Sequence, residues 1–142
     1  MNKKLLYVSI FLIFVLFLSG CGTSNIITTP NTEEDKVKSV IYEYALAVSN
    51  QNWSKAQSYC VYGSDRYYVI AQIKEVFNTL HAYCNFVTIN MLVNVSNVSI
   101  NGNFAQAYID ANLLITGCGE VYSEQDSGTT NLQKVGNSWK LY

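Results

Sequence analysis

The sequence predicts an α+β domain in which helices come first and an antiparallel sheet follows. Apolar residues between Val37 and Leu80 recur at helical spacing, whereas from Phe86 onward they alternate with polar residues. Asn101-Gly102 lies between two alternating segments and is a strong hairpin-turn signal. Helices followed by a run of antiparallel strands are typical of α+β architecture.

The N-terminal segment predicts export and a lipid anchor. Two lysines, Lys3 and Lys4, precede a 14-residue apolar run, Leu5 to Leu18, which is shorter than the roughly 20 residues that a membrane span needs. The run is typical of a signal peptide. Leu18-Ser19-Gly20-Cys21 resembles the lipobox of prokaryotic lipoproteins, in which the cysteine receives diacylglycerol and becomes the new N-terminus.

These features divide the chain into three parts. Residues 1–20 are predicted to be a lipoprotein signal peptide, and residues 21–34 the lipidated Cys21 followed by a flexible tether. Residues 35–142 form the α+β domain. The tether prediction depends on a Thr/Asn-rich stretch that lacks periodicity and contains Pro30, the one proline of the chain. We therefore expect the domain to sit on the extracytoplasmic face of a cell membrane.

The composition describes one small domain with few charges. The chain has 142 residues, a size typical of one domain. Charged residues make up 13%, against a usual share of about 25%. The formal net charge is −1, and loss of Lys3 and Lys4 with the signal peptide would lower it to −3. Nucleic-acid binding calls for a basic patch, so nucleic acid is excluded as an expected partner.

The first helix is predicted to begin after Thr32, a suitable N-cap. Three acidic residues follow it and favour the positive end of the helix dipole. One helical stripe then carries the apolar residues Val37, Val40, Ile41, Tyr44 and Val48. The helix is expected to end in the polar run Asn50-Gln51-Asn52.

Two further helices are predicted before the sheet. A short one runs from Trp53 to about Tyr59. A longer one is capped by Ser64 or Asp65 and ends near Tyr83, with an apolar stripe of Ile70, Ile73, Phe77 and Leu80.

Four strand-like segments follow. Alternation predicts a strand before Asn101-Gly102 and a return strand after it. Residues 117–128 are predicted as a strand or a loop, because their alternation is weak. Residues 129–135 and 138–142 are predicted as strands that are joined at Gly136-Asn137.

The apolar pattern also predicts a register for the central hairpin. A two-residue Asn101-Gly102 turn places Ile100 opposite Asn103. The apolar series of the first strand changes phase between Val95 and Val98, which indicates a β-bulge. Beyond the bulge, apolar residues face apolar residues throughout, in the pairs Val95–Ala107, Val93–Ile109, Met91–Ala111, Ile89–Leu113 and Val87–Ile115.

The same register predicts a disulfide. Once Cys21 carries lipid, three cysteines remain in an oxidising compartment. The predicted register places Cys84 directly opposite Cys118, where Cα atoms lie within disulfide range. A helix of about 28 Å separates Cys60 from Cys84. The predicted bridge is therefore Cys84–Cys118, the alternative being three separate buried thiols, and the role of Cys60 stays open.

The domain as a whole resembles the NTF2-like superfamily, also called cystatin-like or SnoaL-like, and in particular small prokaryotic lipoproteins of unknown function. The resemblance is carried by residues 42–59, by the central hairpin and by residues 131–142, with the closing motif Gly-x-x-Trp-Lys-hydrophobic at Gly136 to Leu141. It implies N-terminal helices packed on a curved antiparallel sheet that forms a cone with a pocket. Superfamily members include isomerases, dehydratases and binding domains, so the fold alone assigns no role.

No standard catalytic set is visible in the sequence. An isomerase-like mechanism requires a buried carboxylate, and Asp110, with Tyr108 beside it, is the candidate in the two long strands. Both residues lie on the mixed face of their strand, opposite an apolar face, so we expect Asp110 to point away from the interior. His81 is the one histidine and has no partners at metal-ligand spacing. No metal and no cofactor are predicted.

Tyrosines are abundant in the helical half of the chain. Most are expected to belong to the core or its rim, but Tyr42, Tyr44 and Tyr67 are candidates for lining a pocket that takes a small, mostly apolar ligand. Three Asn-x-Ser sequences, at Asn52, Asn94 and Asn97, are either chance occurrences or glycosylation acceptors, depending on the host.

The sequence therefore favours a non-enzymatic, membrane-tethered module of the cell envelope that binds a small ligand or an envelope protein. Two alternatives remain open. One is an isomerase- or dehydratase-type enzyme that uses Asp110 or a tyrosine in the cone. The other is a structural or immunity-type envelope protein that blocks a partner.

Overall fold

The computed structural model describes residues 32–142, which contain three helices and four strands. The elements are α1 (Glu33–Ser49), α2 (Trp53–Ser58), α3 (Asp65–Tyr83), β1 (Val87–Asn101), β2 (Phe104–Gly117), β3 (Glu120–Val135) and β4 (Ser138–Leu141). The strands form one antiparallel sheet in the order β1-β2-β3-β4. The predicted α+β class is confirmed. The predicted signal peptide, Cys21 and most of the tether lie outside the described residues.

The predicted helix caps are present. Thr32 and Asp35 form a capping box, in which the Asp35 amide donates to Thr32 Oγ1 at 3.1 Å and the Thr32 amide donates to Asp35 Oδ2 at 3.1 Å. Ser64, rather than Asp65, caps α3 and accepts from the Tyr67 amide at 3.2 Å. In the described part of the chain, no helix is long and apolar enough to span a bilayer.

The central hairpin turns one residue later than predicted. Asn101 pairs with Phe104, so Gly102 and Asn103 are the two turn residues, and Ile100 faces Ala105 instead of Asn103. Gly102 has a φ of 59°. A positive φ at the first turn residue is the conformation for which a type II′ hairpin prefers glycine.

The predicted bulge is present, but the predicted register beyond it is wrong by two residues. The pairing shifts between Ser96 and Ser99. Beyond that point Val95 faces Ile109 rather than Ala107, and Val87 faces Gly117 rather than Ile115. A displacement of two residues keeps every side chain on its predicted face, because side chains alternate with period two.

The third strand is longer than predicted. Residues 117–128 were expected to be a strand or a loop, but β3 runs without interruption from Glu120 to Val135 and pairs with β2 from Glu120 to Gln133. Backbone hydrogen bonds to β2 hold this polar segment as a strand. The weak alternation of its sequence did not distinguish a strand from a loop. The predicted turn at Gly136-Asn137 joins β3 to β4.

The core lies between the helices and one face of the sheet, here called the inner face. On β1 and β2 this face carries apolar side chains throughout, and several of them are fully buried with Val37, Ile41, Ile70 and Phe77 of the helices. Trp53 of α2 packs on Phe77 of α3 with ring centroids 5.3 Å apart. The opposite side of the sheet is called the outer face below.

The predicted Cys84–Cys118 disulfide is confirmed, with a Cα–Cα distance of 5.0 Å, and Cys60 is a buried free thiol. The geometry that joins the cysteines differs from the predicted one. Cys84 caps the end of α3 before β1 begins, and Cys118 lies in the turn between β2 and β3 with a φ of 54°. The turn, not a facing pair of strand residues, brings the two sulfur atoms together.

Candidate functional site

A cleft of about 470 Å³ lies where the start of α3 meets the last residues of β3 and the C-terminus. Its polar lining comes from three parts of the chain that are distant in sequence. These are Gly63, Ser64, Asp65 and Arg66 before and in α3, Thr129 and Asn131 on β3, and Tyr142. The volume falls within the range of about 300–1,000 Å³ that is typical of small-molecule sites.

Arg66 connects this cleft to the interior of the domain. Its guanidinium donates to Thr130 Oγ1 at 3.2 Å, and its positive charge also acts on the buried Tyr44 phenol of α1. Thr130 is buried on the inner face of β3. The hydrogen bond to Thr130 therefore holds the guanidinium beside the cleft, with the buried phenol of Tyr44 nearby.

Burial dominates the electrostatics behind Arg66. It raises the pKa of Tyr44 to about 12, and the nearby guanidinium opposes this rise. Burial likewise raises the pKa of the Cys60 thiol to about 11, with Arg66 and Lys140 acting in the opposite direction. Both groups therefore stay neutral at physiological pH, and neither neutralises the arginine.

The inner face of β3 differs chemically from that of its neighbours. Where β1 and β2 carry apolar residues, most of the paired positions on β3 are polar, namely Tyr122, Glu124, Asp126 and Thr130, before the buried apolar Leu132. The Tyr122 hydroxyl donates to Glu124 Oε2 at 2.6 Å. Burial, together with the Glu124 charge, raises the pKa of Tyr122 to about 12. A carboxylate and a phenol are thus paired on the concave side of the sheet.

The structure places Asp110 and Tyr108 on the outer face, as predicted from the mixed face of their strand. Asp110 lies between Asn94 of β1 and Ser127 of β3 in the register, and Tyr108 lies next to it along β2. Neither residue shares a face with Tyr122, Glu124, Asp126 or Thr130 of β3. The outer-face location separates Asp110 from the interior, where an isomerase-like base would be required.

The three candidate tyrosines are in different surroundings, and none of them lines the cleft. Tyr44 is buried and lies near Arg66. The Tyr42 hydroxyl accepts from the Val95 amide at 3.4 Å. The Tyr67 ring makes edge contacts with Tyr62 and Tyr68. Lining of another pocket by these residues stays a prediction.

The remaining sequence candidates have local structural positions. His81 is exposed, and its Nε2 lies 3.0 Å from Gln51 Oε1. Asn52 caps α2 by accepting from the Lys55 amide at 3.1 Å, while Asn94 and Asn97 lie on β1. Among residues 32–142, no group of three or more His, Cys, Asp or Glu side chains could hold a metal ion.

Arg66 does not belong to any of the sequence patterns that predicted candidate residues. One signal for it was present in the sequence, because Arg66 is the single arginine of the chain and lies in the first turn of a helix, where acidic residues are preferred. An unfavourable charge at that position indicates a partner elsewhere in the fold. The partners, Tyr44 and Thr130, lie 22 and 64 residues away in sequence.

No protein-family model and no curated protein sequence matches the chain. Solved structures do match it. A ketosteroid isomerase-like protein from Erwinia carotovora atroseptica is 14% identical, with a TM-score of 0.59 over 79% of this chain and 92% of the other. An NTF2-like protein with a cystatin-like fold from Novosphingobium aromaticivorans is 13% identical, with a TM-score of 0.56 over 75% of each chain.

A third similar structure is Aln2 from a Streptomyces species, which is 11% identical, with a TM-score of 0.61 over 80% of this chain and 89% of the other. Identities this low establish the fold and nothing about the reaction or the ligand. The element order, the curled sheet and these similarities agree with the resemblance found in the sequence. The described domain has the NTF2-like, cystatin-like α+β fold.

Proposed function

We propose that the protein is a membrane-tethered, extracytoplasmic module that binds a small ligand in the cleft beside Arg66. The observation that carries the ligand-binding part is the cleft itself, since it has the volume of a small-molecule site and a guanidinium that is hydrogen-bonded to Thr130 at its side. Pre-positioned groups bind better than mobile ones because less conformational freedom is lost on binding.

The extracytoplasmic part of the proposal is supported by the N-terminal sequence and by the disulfide. The lysines, the apolar run and Leu18-Ser19-Gly20-Cys21 form a lipoprotein-type signal. The Cys84–Cys118 bridge suits an oxidising compartment, because disulfides are rare in the cytosol. These two observations are independent of each other.

The charges of the cleft favour a ligand that carries both an acceptor and a donor. Arg66 supplies a cation, and its neighbour Asp65 supplies a carboxylate in the same lining. Thr129 and Asn131 add a hydroxyl and an amide, and Tyr142 adds an aromatic ring. A zwitterion with an apolar body fits this combination better than a purely anionic or purely cationic molecule.

A matched set of probes tests the proposal. Phenylalanine, phenylacetate and phenethylamine share one aromatic body and differ in whether they carry both charges or only one. In an NMR titration, phenylalanine should shift the amide signals of residues 63–66 and 129–131 more than either single-charge probe. Thr129→Ala should weaken the shift, whereas Ser99→Ala, on an exposed β1 position, should not. Equal or absent shifts at these amides for all three probes would contradict the proposal.

Proton transfer of the isomerase type is a second candidate function, favoured by the Tyr122–Glu124 pair on the inner face of β3. A general base of the isomerase type acts from the interior of the domain, and Glu124 lies on the inner face of the sheet whereas Asp110 lies on the outer face. The test is conversion of a β,γ-unsaturated ketone to its conjugated isomer, followed by ultraviolet absorbance. The function is supported if the unmodified protein catalyses this reaction, Asp110→Asn retains the activity and Glu124→Gln abolishes it. Absence of turnover in the unmodified protein would exclude this function.

A further inference from the structure

We infer that the end of the domain nearest the tether lies on the bilayer surface and that Ile100, Phe104 and Val135 contact lipid there. These three residues are called the tether-end patch below. The inference rests on the proposed lipid anchor at Cys21, and it adds an orientation and a lipid-contacting surface to that anchor.

The geometry places the patch where the described chain begins. Glu33, the first residue of α1, accepts from Lys134 Nζ at 2.7 Å and from Trp139 Nε1 at 2.9 Å. The Lys134 amide donates to the Asn103 carbonyl at 2.8 Å. Both hairpin turns, residues 101–104 and 135–138, therefore converge on the start of α1. The patch residues flank these two turns.

All three residues of the tether-end patch expose a large part of their apolar side chains. Ile100 is 38% exposed, Phe104 52% and Val135 45%. The Phe104 ring also lies against Tyr142, which is 45% exposed, with ring centroids 6.3 Å apart. Apolar and aromatic side chains at the end of a membrane-attached domain are suited to the headgroup boundary of a bilayer.

The charges around the patch are balanced, so apolar burial is the driving force for the contact. Glu33, Glu34 and Asp35 are close in sequence to Lys36 and Lys38, and Lys134 adds the third cation. Because the local sum is neutral, anionic lipids neither repel this end nor attract it strongly. We therefore expect contact to depend little on ionic strength.

A second group of exposed apolar residues lies at the opposite end of the domain. Tyr83, Phe86 and Val121 are near the disulfide and are 74%, 70% and 68% exposed. The 17 residues of α1 span about 26 Å between the two ends. Cys21 is 11 residues before Thr32, a distance of at most about 40 Å. The far group reaches the bilayer only if the tether runs back along the domain, whereas the tether-end patch needs no such path.

A lipid anchor makes even a weak contact effective. The anchored domain meets the bilayer as an intramolecular event at a high effective concentration. Partial burial of the three apolar side chains in lipid then favours the orientation that brings the tether-end patch to the bilayer.

Photolabelling from within the bilayer tests this inference without altering the protein. The lipidated protein is reconstituted into phosphatidylcholine–phosphatidylglycerol vesicles that contain a carbene-generating lipid, and labelled peptides are identified by mass spectrometry. Label is expected on residues 100–104 and on Val135, at least several-fold above the label on Phe86 and Val121. The Phe104→Ser/Val135→Ser variant should lose the label while staying in the vesicle fraction.

The outcomes separate the inference from the anchor on which it rests. If Cys21 carries lipid but the label falls on Phe86 or Val121, or on neither end, the orientation is wrong and the anchor stands. If Cys21 carries no lipid and the protein remains in solution, both the anchor and the inference fail.

Discussion

The hydroxyl of Ser49, at the end of α1, accepts a hydrogen bond from the Met91 amide of β1 at 2.8 Å and donates to the Ala45 carbonyl at 2.9 Å. Two other side chains from the same part of the chain bond the same edge of β1. Gln51 Nε2 donates to the Val87 carbonyl at 3.0 Å, and Tyr42 accepts from the Val95 amide at 3.4 Å. Exposed strand edges invite pairing with other chains. Helix α1 therefore covers the first edge of the sheet through its side chains.

Ser49→Ala is expected to lower the free energy of unfolding by about 1–2 kcal/mol, because the half-buried Met91 amide loses its acceptor. Urea denaturation followed by circular dichroism measures the change. The matched control is Ser58→Ala, whose exposed hydroxyl contacts the Lys55 carbonyl and whose loss should cost less than about 0.5 kcal/mol. Equal effects of the two substitutions would show that Ser49 does not stabilise the edge.

The local signals in the sequence predicted the elements well because they act over a few residues. The capping box at Thr32 and Asp35, and the Ser64 cap, need only their own helix turns to form. The register of the hairpin could not be fixed in the same way. A period-two pattern is unchanged when one strand slides by two residues, so Val95 opposite Ala107 and Val95 opposite Ile109 satisfy it equally.

The residues of the candidate site were even harder to predict from the sequence than the hairpin register. Arg66 became part of it through contacts with Tyr44 and Thr130, which only the tertiary fold brings together. The polar inner face of β3 likewise depended on a register that the weak alternation of residues 120–128 did not reveal. The correct cysteine pair was predicted from an incorrect register, since the turn at Cys118 compensates for the displacement of the strands.

Glu33 is predicted to make stability depend on acid pH. Hydrogen bonds from Lys134, then Lys36 and Trp139, lower the pKa of its carboxyl from 4.5 to about 2. A lowered pKa in the folded state gives stability that is fully present above about pH 5 and is lost as the pH falls toward 2. Thermal melts between pH 7 and pH 2 should therefore show a smaller acid-induced decrease in Tm for Glu33→Gln than for the unmodified protein.

The control for this prediction is Glu34→Gln, since Glu34 pairs with Lys38 within the same helix and has no contact with the sheet among the bonds described for residues 32–142. Its melts should follow those of the unmodified protein across the acid range. A Glu33→Gln variant with the same pH dependence as the unmodified protein would show that the contact between α1 and the sheet does not involve an ionised carboxylate.

Tyr44→Phe is expected to lower the free energy of unfolding by about 0.5–1.5 kcal/mol, the usual net contribution of one polar contact, because the buried phenol lies near Arg66. The ring stays buried, so the change isolates the hydroxyl near Arg66. Tyr62→Phe, at a position that is 83% exposed, should change stability by less than about 0.5 kcal/mol. A Tyr44→Phe protein as stable as the unmodified one would mean that the Tyr44 hydroxyl near Arg66 does not stabilise the fold.

The thiols provide a further prediction. Cys60 is buried and its pKa is raised to about 11, so a thiol reagent should not react with Cys60 in the native protein at pH 8. In denaturant without reductant, one thiol per chain should react if Cys21 carries lipid, and two if it does not. Native-state labelling of Cys60 would contradict its burial, and a labelled Cys84 or Cys118 in peptide maps would contradict the assigned pairing.

The intact mass of the protein extracted from bacterial membranes tests the proposed tethering most directly. We expect a chain of residues 21–142 whose Cys21 thiol carries diacylglycerol, and we expect Cys21→Ala to prevent this processing. An uncleaved chain of residues 1–142 in the membrane, or a chain that is cleaved but has an unmodified Cys21 thiol, would contradict the account.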